Sequence, residues 1–235
     1  MTFSIVARCE RTGELGVAVA TAVPAVGSMC PYLTAGVGAA STQAWVNPYL
    51  AIDALALMQR GKPPLEALAA VLASDAESAG RQIGLIGTAG PGLAFTGADC
   101  TPWCGQSTGA DFAIQGNMLV GEATLASMRD AWLAEPSADL AERLMAALEA
   151  GDAAGGDHRG RQSAALRVVG TEAYAALDLR VDEHVAPVAE LRRVLGIARR
   201  QLLPFVQGMP RRDSPGRALP ADVAAMLLKP PAERR

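Results

Sequence analysis

The 235-residue chain holds only two histidines, His158 and His184, and only two lysines, Lys62 and Lys229. Histidines so far apart in sequence are a poor start for a Ser-His-Asp hydrolase, and no His-Glu-x-x-His pair is present to hold zinc. A Walker-type Gly-Lys-Ser/Thr loop and a Gly-x-Gly-x-x-Gly turn are both missing. Nucleotide and dinucleotide chemistry therefore have no support, and no cofactor is expected. With 4 % aromatics and a net charge of −3, the chain lacks the basic, aromatic-laced surface of a nucleic-acid binder. No apolar run approaches the ~20 residues of a membrane span, so no membrane partner is expected. Arg8 and Glu10 interrupt the first apolar stretch before it could form a signal-peptide core, which points to a cytoplasmic protein. Cysteines are few and irregularly placed: Cys9, Cys30, Cys100 and Cys104. The Cys100–Cys104 spacing is one residue too long for a redox or zinc-knuckle pair, so reduced thiols and no metal site are expected.

What the chain does have is apolar bulk in small side chains. Half of its residues are hydrophobic, enough to bury one sizeable core. Phe3, Ile5 and Ala7 alternate with Thr2, Ser4 and Val6, which predicts a strand with Thr2 and Ser4 on one face. A turn at residues 11–13 and a second β-prone run, Leu15 to Ala22, predict an antiparallel hairpin. Leu33 to Ala40 reads as a strand of small residues running into Ser41-Thr42-Gln43 at its end. Asn47-Pro48 is a helix start, with an N-cap followed by proline where its missing N–H costs nothing. Leu50, Ala54, Leu57 and Met58 share one face of that helix. Gly61 with Pro63-Pro64 ends it, and Leu65, Leu68, Ala69 and Leu72 define a second at the same spacing.

β character returns at Gln82 to Gly87, Gly92 to Thr96 and Asp111 to Gln115. Two further helices carry Leu125, Met128 and Trp132, then Leu140, Leu144 and Leu148. Strands at Ala164 to Val169 and Ala175 to Val181 and a helix with Val188, Leu191 and Leu195 complete the pattern. Strands clustered between paired helices predict an α+β domain over 1–203, with two packed, mainly antiparallel sheets covered by helices. The Pro- and Arg-rich 204–235 reads as a tail or a strap onto a partner subunit. Together with the arginines of the last helix, it suits a homodimer.

The candidate chemistry begins at Thr2. Removal of Met1 would leave a threonine with a free α-amine. A hydroxyl that is a poor nucleophile at neutral pH would then have its own amine as general base. Taken alone, a threonine after the initiator is an ordinary residue.

Several segments fall in one order: Thr2-Phe3-Ser4-Ile5-Val6-Ala7, Ala25-Val26-Gly27-Ser28, Ala35-Gly36-Val37-Gly38-Ala39 with Thr42-Gln43, Gln115-Gly116-Asn117-Met118-Leu119, and Gly155-Gly156-Asp157 with Arg159-Gly160-Arg161-Gln162-Ser163-Ala164. Together they resemble the bacterial family called domain of unknown function 1028, over about residues 2 to 200. Its members look like N-terminal-nucleophile (Ntn) hydrolases. The resemblance implies a four-layer αββα sandwich with the reactive residue at the head of the first strand, between the sheets. It makes Thr2 the candidate nucleophile. Cys30, Cys100 and Cys104 are no part of the pattern.

Around Thr2, the amides of Gln43 and Asn117 are candidate donors to a developing oxyanion, with Ser4, Gln115 and the Gly116 backbone beside them. The blander alternative is that Gln and Asn at strand ends merely cap backbone groups. The loop carrying Asp157, Arg159, Arg161 and Ser163 offers glycine N–H groups and guanidinium forks suited to a carboxylate-bearing small molecule. Its alternative is a solvated turn. Two functions result: an amidohydrolase acting on a small carboxylate-bearing amide or acylated amino acid, or a non-catalytic anion-binding or assembly module.

Overall fold

The computed structural model describes residues 2–216 and 218–234. The chain begins with β1 (Thr2–Arg8) and β2 (Leu15–Thr21), which pair antiparallel as Thr2↔Thr21 through Arg8↔Leu15. Next come β3 (Pro31–Thr34), β4 (Gly38–Ala44), α1 (Pro48–Gln59), α2 (Pro64–Ser74), β5 (Arg81–Gly87) and β6 (Leu93–Thr96). The order continues with β7 (Gly105–Thr108), β8 (Phe112–Asn117), α3 (Ala123–Ala134), α4 (Leu140–Ala153), β9 (Ser163–Val169), β10 (Ala175–Val181) and α5 (Pro187–Gln201). Two short helices, α6 (Leu203–Gly208) and α7 (Ala221–Leu227), close it.

Six strands form one sheet in the order β10-β9-β2-β1-β8-β7, and four form a second in the order β3-β4-β5-β6. All observed strand pairings are antiparallel. Period-two alternation sends Phe3, Ile5 and Ala7 outward into a core with Met128, Trp132 and Leu144 from α3 and α4 and Leu191 from α5. Ala40, Ile83 and Leu85 of the smaller sheet pack outward against Leu50, Ala54 and Leu68 of α1 and α2. The four-layer αββα sandwich expected from the sequence is therefore present.

Between the sheets the interior changes character along the strands. Val6, Val17, Ala39, Ile86 and Ala113 form an apolar cluster at one end. Thr2, Ser4, Gln43, Gln82, Gln115 and Asn117 are all buried toward the other. Buried polar groups are tolerated only when they are hydrogen-bonded, so the polar end has to be an ordered network.

α1 starts where Asn47-Pro48 predicts: the Asn47 side chain accepts from Tyr49 N at 3.1 Å. Leu33 to Ala40, in contrast, is not one strand. Gly36 adopts φ +68°, which lacks steric cost only without a Cβ, and Val37 N returns to Thr34 O at 3.0 Å. The chain reverses there into the β3–β4 hairpin, so Ser41-Thr42-Gln43 lies inside β4 and not beyond a strand end. β7 has no counterpart among the strands expected from the sequence. With the Gly109 that follows it, Gly105-Gln106-Ser107-Thr108 spells the Gly-x-Ser-x-Gly of a nucleophile elbow. Ser107 sits in an edge strand opposite Ile114, however, and not at a strand-to-helix turn.

The described part of the tail lies against its own chain. Val223 is buried, Gln201 Nε2 donates to Arg234 O at 3.0 Å, and Tyr174 OH donates to Pro210 O at 3.0 Å. Two of the α5 arginines are taken up against α4 and its cap as well. Arg192 pairs with Glu142 and Glu149 of α4, and Arg199 pairs with Asp139 and Glu142. Among the described residues, no helix is long and apolar enough to cross a membrane.

Candidate active site

Thr2 heads β1 in the middle of the larger sheet, with Thr21 of β2 opposite on one side and Asn117 of β8 on the other. Alternation turns its side chain toward the smaller sheet, on the face shared with Ser4 and Val6. Its hydroxyl donates to Thr21 Oγ1 at 3.2 Å. Met1, whose removal a free Thr2 amine requires, lies outside the described residues.

Below Thr2 the amides form a directional chain. Gln82 Nε2 donates to the backbone carbonyls of Gly116 at 2.8 Å and Gly105 at 3.2 Å, and to Thr96 Oγ1 at 2.9 Å. A carbonyl can only accept, so these bonds fix which end of Gln82 is nitrogen. Its Oε1 therefore faces inward and accepts from Gln43 Nε2 at 2.8 Å and from Asn117 Nδ2 at 2.9 Å. Gln43 Nε2 also donates to Thr2 O at 3.1 Å and to Gln115 O at 3.3 Å. On its other side, Gln43 Oε1 accepts from the Ser4 hydroxyl at 2.6 Å, and Ser4 Oγ accepts from Gln115 Nε2 at 2.6 Å.

The two side-chain amides expected to serve an oxyanion separate on this geometry. Both hydrogens of the Gln43 amide already face protein acceptors, so Gln43 secures the Thr2 carbonyl and cannot reach out to a substrate. Asn117 Nδ2 has a single acceptor among the described residues, and Asn117 borders an open cavity. Ser4 and Gln115 are wholly buried links in the chain, and Gly116 supplies the carbonyl that Gln82 reads.

The cavity has a volume of about 360 Å³ and opens at the Thr2 end of the sheets; Ala44, Trp45, Asp99, Asn117, Met118 and Arg159 are among its lining residues. A shallower hollow of about 270 Å³ by Asn47, Asp53 and Asp75 lies away from Thr2. Ala44 and Met118 in the cavity wall hold φ of 68° and 53°. Non-glycine residues reach that region only when their surroundings impose it, and such residues concentrate at functional sites. Ala44 turns the chain so that Trp45, 78 % exposed, stands at the rim. Trp45 O accepts from Arg81 Nη1 at 2.9 Å. Arg81 is held in turn by Asp75 through Nε–Oδ2 at 2.9 Å.

The 155–163 loop divides. Gly156, at φ +56°, lets the chain fold over Phe3, whose ring a Cβ would meet. Asp157 is then buried, with Oδ2 accepting from Ala22 N at 3.0 Å and Oδ1 from Arg159 N at 2.9 Å. The Arg159 guanidinium pairs with Asp157 at 3.2 Å and extends to the cavity. Ser163 donates to Val23 O at 2.6 Å and accepts from Val26 N at 3.1 Å, pinning the turn after β2, whose Val23 borders the cavity. Arg161 goes elsewhere. Its Nε donates to Asp152 Oδ1 at 2.6 Å on the exposed side, outside the cavity.

Gln82, Asp99 and Trp45 enter the site without having been singled out from sequence. Gln82 did leave a trace: it alternates with Gly84 and Ile86, opposite the outward Ile83 and Leu85, which marks it as an inward polar residue. Asp99 and Trp45 leave none, because only the fold brings their loops together.

The model of a family described as being of unknown function, DUF1028, matches residues 2–191. No curated protein matches the sequence. Among solved structures, protein SPO2555 from Silicibacter pomeroyi, described as a DUF1028 protein, is 28 % identical with a TM-score of 0.85, over 93 % of this chain and 99 % of that one. Anbu (ancestral beta-subunit) from Yersinia bercovieri matches at 11 % identity and a TM-score of 0.40, over 88 % of this chain and 98 % of that one. A selenomethionine-labelled Anbu (Gly-1) mutant from Hyphomicrobium sp. strain MC1 matches at 11 % and 0.41, over 89 % and 99 %.

Proposed function

The chain belongs to the DUF1028 family, whose function is unknown, and from its own cleft we propose that it is an Ntn-type amidohydrolase acting on a small carboxylate-bearing amide or acylated amino acid. The observation that carries this reading is the position of Thr2. Its hydroxyl lies on the inner face of the central strand, and its neighbour Asn117 borders the cavity. Met1 is removed, and Thr2 Oγ attacks the amide carbonyl carbon while its proton passes to the α-amine. Asn117 Nδ2 donates to the oxyanion. The amine leaves with that proton, and water then hydrolyses the Thr2 ester. Gln43 and Gln82 act as positioning residues, and Arg159 holds the substrate carboxylate.

A second reading, a non-catalytic anion-binding module, is favoured by the Asp157–Arg159 loop, whose bonds do not depend on Thr2. Two measurements separate them. The intact mass of untagged protein lacks one methionine under the first reading. A panel of small amides is cleaved by the wild type and not by Thr2→Ala at equal folded stability. Equal rates in the two proteins, or a retained Met1, would end the hydrolase reading and leave the binding module.

A further inference from the structure

Asp99 and Arg159 line the same cavity without forming an ion pair with one another. Arg159 is 38 % exposed, and its contacts with Asp157 run through Nε and Nη2, so Nη1 has no partner among the described residues. The Asp99 carboxylate has no hydrogen-bond or ion-pair partner among the described residues either. Its loop is fixed, since Asp99 N donates to Ala79 O at 2.8 Å. Beside them stands the Trp45 indole, held through its backbone by Arg81 and Gly80. An aromatic face of that kind attracts a cation.

Opposite charges held apart across one small cavity are matched by a ligand that carries both charges. We infer that the substrate is zwitterionic, a short peptide or aminoacyl amide whose free carboxylate meets Arg159 and whose free ammonium meets Asp99 and the face of Trp45. This deepens the hydrolase reading and rests on the cavity being its substrate site. A volume of about 360 Å³ lies at the small end for ligand pockets and limits the peptide to about two small residues. Asn117, which pairs with Thr2 across β1 and β8, lines the same cavity as the two charged groups.

Binding separates this inference from catalysis. In the Thr2→Ala protein, calorimetry compares alanyl-alanine with N-acetyl-alanyl-alanine, which lacks the ammonium, and with alanyl-alaninamide, which lacks the carboxylate. The uncapped dipeptide binds about tenfold more tightly than either capped form, the scale of one charge-assisted contact. Adding Asp99→Asn removes the discrimination against the acetylated peptide alone. Arg159→Lys, which leaves buried Asp157 a cation, weakens the discrimination against the amide alone. Equal binding of all three peptides, no binding of alanyl-alanine at millimolar concentration, or discrimination unchanged in Asp99→Asn would overturn the inference. Selective binding without hydrolysis by the wild type would instead sink the hydrolase reading and leave the zwitterion site standing.

Discussion

Asn117 Nδ2 donates to Gln82 Oε1 at 2.9 Å, which ties the residue opposite Thr2 in the larger sheet to the first inward residue of β5 in the smaller. The two sheets are thus joined at the Thr2 end by a network of side-chain amides, and at the other end by apolar packing with Arg8 Nη1 donating across to Gly87 O at 2.9 Å. Hydrogen bonds have fixed directions and apolar contacts do not. The polar end can therefore hold the strand that carries Thr2 in one position.

Gln82→Leu tests that joint. The substitution removes the donor that reaches the Gly105 and Gly116 carbonyls and takes the shared acceptor from Gln43 and Asn117. A loss of about 3 kcal/mol is expected, since each buried group left unsatisfied costs about 1–3 kcal/mol. Urea unfolding should show a lower midpoint at unchanged slope, and a midpoint equal to the wild type would mean that the amide chain does not stabilise the fold.

Gly84 sits under Gln115. A Cβ there would overlap Gln115 Oε1 and crowd its whole amide. Gly84→Ala should push Gln115 off Ser4 and destabilise the protein by about 1–3 kcal/mol, the usual cost of overpacking. Thermal unfolding checks this, and an unchanged melting temperature would show that Gln115 has room to move.

Asp75 carries the pH dependence of the cavity rim. Hydrogen bonds from Arg81 and then from Asn47 hold its carboxyl down to about 2, below the ordinary aspartate value. With the folded value depressed, the stabilisation is complete above the unfolded value of about 3.9. It is lost as pH falls through about 2. The stability difference between the wild type and Asp75→Asn should be constant near neutrality and shrink between those two values. A difference that grows in acid would contradict the clamp.

Cys30 should be chemically silent. Burial pushes its thiol up to about 12, and the thiolate is the reactive form. At pH 8 an alkylating reagent should modify the half-buried Cys104 in the folded protein and reach Cys30 only on unfolding. Mass mapping of the labelled peptides decides, with early Cys30 labelling as the contrary result.

Strand and helix identity was legible because it rests on local spacing. Thr2-Ser4-Val6 against Phe3-Ile5-Ala7 set the two faces of β1, and Asn47-Pro48 set the start of α1. The order of strands and paired helices implied two covered sheets, since each amphipathic element must bury one face. The candidate residues Thr2, Asn117, Asp157 and Arg159 were likewise visible as polar residues at strand ends and in a glycine-rich loop.

The rest needed partners distant in sequence. Local pattern could not show that Gln43 sits inside a strand, because the turn at Gly36 depends on a backbone conformation that small residues permit without requiring. Nor could it assign the charges of one loop, where Arg159 turns to Asp157 and the cavity while Arg161 turns to Asp152. Gln82, Trp45 and Asp99 join Thr2 only once two sheets meet face to face. Periodicity along the chain therefore decided which faces are inward, and the packing of the sheets decided which inward groups bond to each other and which are left facing the cavity.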